Sequence, residues 1–309
     1  MSKMKRLSIL LIVMAMVLVA CGEKTIDEPK LPKENAKPVE KIIIKTEGSI
    51  HKDNVNIVFP NTDETDEPKE IPSDNIPVVS NSFNKDKPFD HLKKNDYQAP
   101  NKEKLISELP EQLQESITKY PETTNEILQY HELKDNPESF DLTGVYQKGD
   151  IPQFIQWDSR WGFHKISNSY MAHSGCGPTV LSSAYIHFTG DNSMNPAVMG
   201  DWANEQGYFG DSYGSSWDLF QKGAIDLGLT CSEIGVDLNM IQASIDSGAL
   251  LVFNVTAGDF TTGGHYIMVT GYEDDMLKVL DVNSPINSQK MWKYERVLPQ
   301  IRGAWELNI

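Results

Sequence analysis

The chain has 309 residues, with 28 basic against 44 acidic side chains and a formal net charge of −16. A field of that sign argues against nucleic acid, and against anionic lipid or wall polymer, as direct partners. There are only three cysteines, and the first stands just after a leader, so the folded part has two thiols to account for.

Lys3, Lys5 and Arg6 precede an apolar run from Leu7 to Val19. The run is too short for a comfortable membrane span and has the form of a secretory signal over residues 1–20. It ends in Leu18-Val19-Ala20-Cys21-Gly22, which resembles the lipobox of bacterial lipoproteins. The resemblance implies that Cys21 is lipidated and becomes the new N-terminus, and that the protein is held on the outer face of the bacterial membrane. Each buried acyl methylene is worth about 0.8 kcal/mol, so two or more chains give a stable anchor. Removal of residues 1–20, with three basic and no acidic side chains, takes the formal charge from −16 to −19.

Residues 21–100 are rich in Lys, Glu, Asp, Asn and Pro and poor in aromatics. Such a stretch buries too little apolar surface to order itself and reads as a tether, spanning roughly 50 Å on average by random-coil scaling. Two apolar patches, Ile42-Ile43-Ile44 and Val55-Asn56-Ile57-Val58-Phe59, are candidates for a small hairpin. Residues 101–140 turn helical. Leu105, Leu109, Leu113 and Ile117 fall four apart, Pro110 divides the run, and Pro121 opens a second segment with Ile127, Leu128 and Leu133. These helices read as a pedestal for the domain C-terminal to them, and Asp135-Asn136-Pro137 ends them.

Residues 141–309 read as one globular domain, of about 160 residues from Ile151 onwards, a usual size. Helices are expected over Pro178–Phe188, Pro196–Glu205, Ser216–Leu227 and Leu238–Asp246, the last capped by Asp237. The period then changes to that of strands at Leu250–Val255, His265–Tyr272, Met276–Val282 and Ala304–Asn308, with Glu273-Asp274-Asp275 as a hairpin turn. Helices first and antiparallel strands second make an α+β fold.

Three stretches carry chemistry. In His173-Ser174-Gly175-Cys176-Gly177-Pro178-Thr179-Val180 a thiol stands between two glycines at a helix start, with Pro178 expected as the first helical residue. Free N–H groups there favour a thiolate and can receive the oxyanion of an attacked carbonyl. Gly175 and Gly177 leave room for a substrate backbone. Taken alone, the stretch fits equally a structural cysteine packed at a helix end. Gly263-Gly264-His265 puts an imidazole at the start of a strand, and Leu280-Asp281-Val282-Asn283 puts a carboxylate at the end of the next. As hairpin neighbours, His265 and Asp281 should meet. A cysteine at its ordinary pKa of about 8.5 is only a few per cent ionised near neutrality, and pairing with a carboxylate-held imidazolium corrects that. A Cys176–Cys231 disulfide, open to an extracytoplasmic protein, would exclude such a role. Cys231, in a short strand, reads instead as a small buried residue. His164, His173 and His187 read as surface or helix-end residues. Nothing in the cysteine and histidine spacing calls for a metal or other cofactor.

Gly175-Cys176-Gly177-Pro178-Thr179, the block Gly264 to Tyr272 and Asp281-Val282-Asn283-Ser284-Pro285, with the opening block Ile151 to Gly162, resemble the papain-fold bacteriocin-processing peptidases. They are more similar still to that group's secreted branch, the like family of the thirty-ninth cysteine-peptidase family. The resemblance covers about residues 140–309. It implies a papain-like fold, a catalytic helix packed on an antiparallel sheet, with Cys176 as nucleophile, His265 as general base and acid, Asp281 as orienting carboxylate and Gln156 as oxyanion donor. It also implies a cleft wall near Ser216 and Trp217, so Gly175, Gly264 and Trp217 are candidate substrate contacts. Where the family often has proline after the aspartate this chain has Val282, which makes Asn283 the alternative orienter. Gln156 stands 20 positions before Cys176, farther than in the leader-processing members. The expectation is a lipid-anchored, monomeric cysteine peptidase acting on a peptide or amide. The alternatives are an acyl or peptidyl transferase with the same triad and a degenerate module that binds peptide or wall fragments.

Overall fold

The strand-period segments assemble into one six-stranded antiparallel sheet. Its members are β1 (Thr230–Glu233), β2 (Leu250–Val255), β3 (His265–Glu273), β4 (Met276–Leu280), β5 (Met291–Lys293) and β6 (Ile301–Asn308), in the order β1-β6-β2-β3-β4-β5. The computed structural model describes residues 84–92, 101–134, 140–210 and 214–309, all within one compact unit from Asn75 to Ile309. The signal segment, Cys21 and the two apolar patches proposed as a hairpin lie outside the described residues.

Strict alternation buries the sheet on both faces. Leu250, Val252, Tyr266, Met268, Leu280, Trp305 and Leu307 face the helix that begins at Cys176. Leu251, Phe253, Val255, Ile267, Val269, Leu277 and Val279 face Ile241, Trp292 and Val297. The β3–β4 hairpin turns at Asp274, whose φ of 50° is tolerated by an aspartate. β5 was not expected; it is short and pairs at the sheet edge through Leu277 and Trp292.

Helices α1 (Lys102–Ser107) and α2 (Glu111–Lys119) precede the domain, and α3 (Cys176–Thr189), α4 (Pro196–Glu205) and α5 (Leu238–Asp246) lie within it. Ten of the fourteen residues of α3 are buried. One side meets the sheet and the other, at Ile186, meets Leu142, Phe154 and Trp161. α4 and α5 have the expected bounds. Asn195 accepts the Ala197 and Val198 N–H groups, and Asp237 accepts the Asn239 N–H. The Ser216–Leu227 segment departs from expectation: a wide turn over Leu219–Gly223 precedes a short helix, Ala224–Asp226. The Ser216 hydroxyl donates to the Tyr208 carbonyl.

In α2, Leu113 and Ile117 are buried, together with Leu109 just before it, and they pack with Ile155, Trp157, Tyr170 and Ala172. Residues 84–92, expected as tether, are folded onto the same region. Leu92 joins that apolar cluster, Lys85 pairs with Asp150 at 2.6 Å, and His91 pairs with the buried Asp158 at 2.6 Å. Burial opposes charge on Asp158, but Arg160 and His91 outweigh it and hold the carboxyl far below the usual range. A stretch polar on average thus carries a short docking motif.

Candidate active site

The thiol sits at the first residue of α3, not ahead of it. Gly175 is the cap and Pro178 falls at the third helical position, where its missing N–H is still one of those without an intrahelical partner. Gly177 is needed for a close approach: a Cβ there would run into the Ser215 hydroxyl and come within 2.9 Å of Leu219. Gly175 is crowded in its turn by Met171, whose carbonyl a Cβ would meet at 2.5 Å. That corrects the reading of Gly175 as room for substrate.

β3 begins at His265 and β4 ends one residue before Asp281, so the hairpin brings the two side chains together. His265 Nε2–H donates to Asp281 Oδ1 at 2.8 Å, with the ring 4% exposed and the carboxylate fully buried. Three further contacts place the carboxyl group. The Asn283 N–H donates to Oδ1 at 2.9 Å, Asn287 Nδ2 donates to Oδ2 at 2.8 Å, and the Ser288 hydroxyl bonds the Asp281 main chain. Val282, in place of the family's proline, is core. Its carbonyl accepts the Gln156 N–H at 2.7 Å, and that of Asn283 accepts Trp157 Nε1–H at 2.9 Å. Asp281 is therefore the orienter, and Asn283 supports it through its backbone.

With Nε2 engaged by Asp281, the other ring nitrogen is the one left for the sulfur, and His265 acts on Cys176 as a hydrogen-bonding and charged neighbour. Burial pushes the Cys176 thiol up, but His265, through that bond and its charge, outweighs it. The Tyr266 and Gly177 N–H groups add donors to the sulfur, and the thiol ends below its usual range. Burial likewise opposes a charged His265, and Asp281 with Cys176 reverses it, holding the imidazole up to about 10. The pair is a thiolate and an imidazolium over the interval between these two limits, which belong to the pair as a unit. Cys176 and Cys231 are both free thiols, so the disulfide that would have excluded this chemistry is not formed. Cys231 is pushed up to about 11 by burial alone.

A cavity of about 320 Å³ opens over the pair, lined by Cys176, His265, Gly264, Ser215, Asn254 and His173 among others. Gly264 has open space where a Cβ would be. His173, expected at the surface or a helix end, stands in the last turn of the short helix Met171–Ser174 and lines this cavity, with Ser116 Oγ 3.3 Å from its Nδ1. Gln112 of α2 lines it too, so the expected pedestal is in part a wall of the site.

Two expected contacts are not brought here. Trp217 turns 45% exposed with its ring edge-on to Trp305, outside the residues lining the cavity. Gln156 is buried behind it, where Nε2 donates to the Ala172 carbonyl at 3.0 Å; that amide props the turn before α3 instead of pointing into the cavity. Sequence reasoning missed Asn287 and Ser288, for which Ser284-Pro285 as a helix start was the available signal. It also missed Tyr120, whose hydroxyl donates to Thr261 Oγ1 at 3.3 Å.

Among solved structures, the peptidase domain of Streptococcus ComA, a bifunctional ABC transporter involved in a quorum-sensing pathway, is 21% identical over 44% of this chain and 91% of that one, with a TM-score of 0.33. A C39-like peptidase from Bacillus anthracis is 14% identical over 44% and 89%, with the same TM-score of 0.33. No curated protein matches the chain. The model of the Peptidase C39 like family matches residues 148–308, just over half of the 309, and with the papain-like α+β architecture in place the chain belongs to that family.

Proposed function

We propose that the protein is a cysteine peptidase that hydrolyses a peptide or amide bond through a thioester on Cys176. The observation that carries the reading is that Cys176 and His265 line one cavity while a buried 2.8 Å bond ties the imidazole to Asp281 behind it. In this scheme the thiolate attacks the carbonyl carbon, and the backbone N–H of Cys176, in the first turn of α3, faces the developing oxyanion. His265 protonates the leaving amine, then takes a proton from the water that cleaves the thioester. Asp281 keeps the ring oriented and its charge compensated without taking up the proton itself. The lipobox adds that the enzyme works on the outer face of the membrane, tethered through Cys21.

The test is cleavage of a peptide library by the purified chain. Cys176→Ala should abolish both hydrolysis and labelling by a mild alkylator at that position, while a metal chelator leaves activity intact. Hydrolysis that persists in Cys176→Ala overturns the assignment. Incorporation of a fatty-acid probe that vanishes in Cys21→Ala tests the anchor separately.

A further inference from the structure

We propose that Tyr120, contributed by the helical segment that precedes the family-matched residues, is a positioning residue of the Cys176–His265–Asp281 site. It braces, through Thr261, the loop that leads into the strand carrying the histidine. The inference rests on the peptidase reading and deepens it.

The placement starts in the local chain. α2 ends at Lys119, Tyr120 leaves the helix at φ −134°, and Pro121 starts the next turn, so the ring swings out of the helical segment towards the end of the sheet. Its hydroxyl donates to Thr261 Oγ1 at 3.3 Å, and it stands near enough to Asn283, Asp281 and Cys176 for each to act on its proton. Thr261 and Asn283 are each one step from the pair. Thr261 Oγ1 accepts the Gly263 N–H at 3.1 Å, two residues before His265, and the Asn283 N–H holds Asp281 Oδ1 at 2.9 Å. One phenol thus braces the loop entering β3 from beside the turn leaving β4. Burial, then the nearby Asp281 and Cys176 charges, keep its proton on above the ordinary tyrosine range, so it remains a neutral donor while the pair titrates. The groups that act on His265 are Cys176 from α3 and Asp281 after β4; Tyr120 and Tyr266 both feel the Cys176 charge, and His173 is the further imidazole lining the cavity. Tyr120 lies outside residues 148–308, so the family-matched residues alone do not supply it.

The experiment measures alkylation of Cys176 by iodoacetamide across pH in the full chain, read by peptide mass spectrometry, with Cys231 as the internal slow thiol. Wild type should show two inflections, one for the thiol and one for the imidazolium. Tyr120→Phe keeps the ring and removes the brace. It should move the two inflections towards each other and slow alkylation near neutrality about 3- to 10-fold, the worth of one lost hydrogen bond. Thr261→Val should do the same. Tyr130→Phe, which removes a hydroxyl from the same segment where it meets Tyr170, should change nothing. A Tyr120→Phe profile superimposed on wild type overturns the proposal, as does an equal shift in Tyr130→Phe, which would assign the effect to docking of the segment. If wild type itself shows one inflection at the ordinary thiol value, it is the peptidase reading that falls, and this inference with it.

Discussion

The side chain on which most depends is His265, because its charge is maintained against burial. Folded, it keeps its proton up to about 10, against an ordinary 6.5. It therefore binds a proton more tightly in the native state, and its stabilising contribution is complete below about 6.5 and lost as pH rises towards 10. The thiol contributes with the opposite sign, so the clean measurement is urea unfolding of Cys176→Ala. Stability there should fall as pH rises above about 6.5, over a window narrower than in the native chain because the Cys176 contribution is gone, and adding Asp281→Asn should flatten the fall. Asp281→Asn in the otherwise native chain should bring the upper inflection of Cys176 alkylation down from about 10 towards or below the ordinary imidazole value. Hydrolysis should drop by about two orders of magnitude or more, as expected when a ring loses its orienting carboxylate. These three residues were legible in the sequence because each stands at a punctuated end: a glycine-flanked helix start, a Gly-Gly strand start, a strand end in a Ser-Pro turn. Gln156 was misread because a motif position does not say which way an amide points. Tyr120 was invisible because its contact with Thr261 spans 141 positions and leaves no periodic trace.

At the scale of elements, helix α3 is defined as much by what presses on it as by its own pattern. The two-residue strand that contains Ser215 leaves no room for a side chain at position 177. Gly177→Ala should therefore cost about 1–3 kcal/mol through overpacking, seen as a lower Tm, and should slow Cys176 alkylation because the first turn must shift. Strands β2 and β3 and helices α4 and α5 could be read from periodicity and caps almost to the residue. The Leu219–Gly223 turn could not. There Gly223 lies against Trp202 and Tyr208, and tertiary packing overrides a helical pattern. The hairpins Lys165–Ile166 with Ser169–Tyr170 and Phe209–Gly210 with Gly214–Ser215 are too short to give any alternation to read.

For the whole molecule, the helical segment and the sheet domain share one apolar cluster and one cavity wall, so they should unfold together. Leu113 is fully buried between α2 and the domain. Leu113→Ala should cost about 2–5 kcal/mol and lower a single calorimetric transition, not split it in two. The sequence showed this segment as helical and adjacent; composition could not show that it lines the site. Strand order carries a last consequence. β6, residues 301–308, lies between β1 and β2 and places Trp305 and Leu307 in the core beneath α3. A ribosome delivers Cys176 long before it delivers that strand, so a nascent chain holds a sulfur with no finished sheet to brace its partner. Assembly order thus withholds a finished Cys176–His265 pair until translation has passed residue 308.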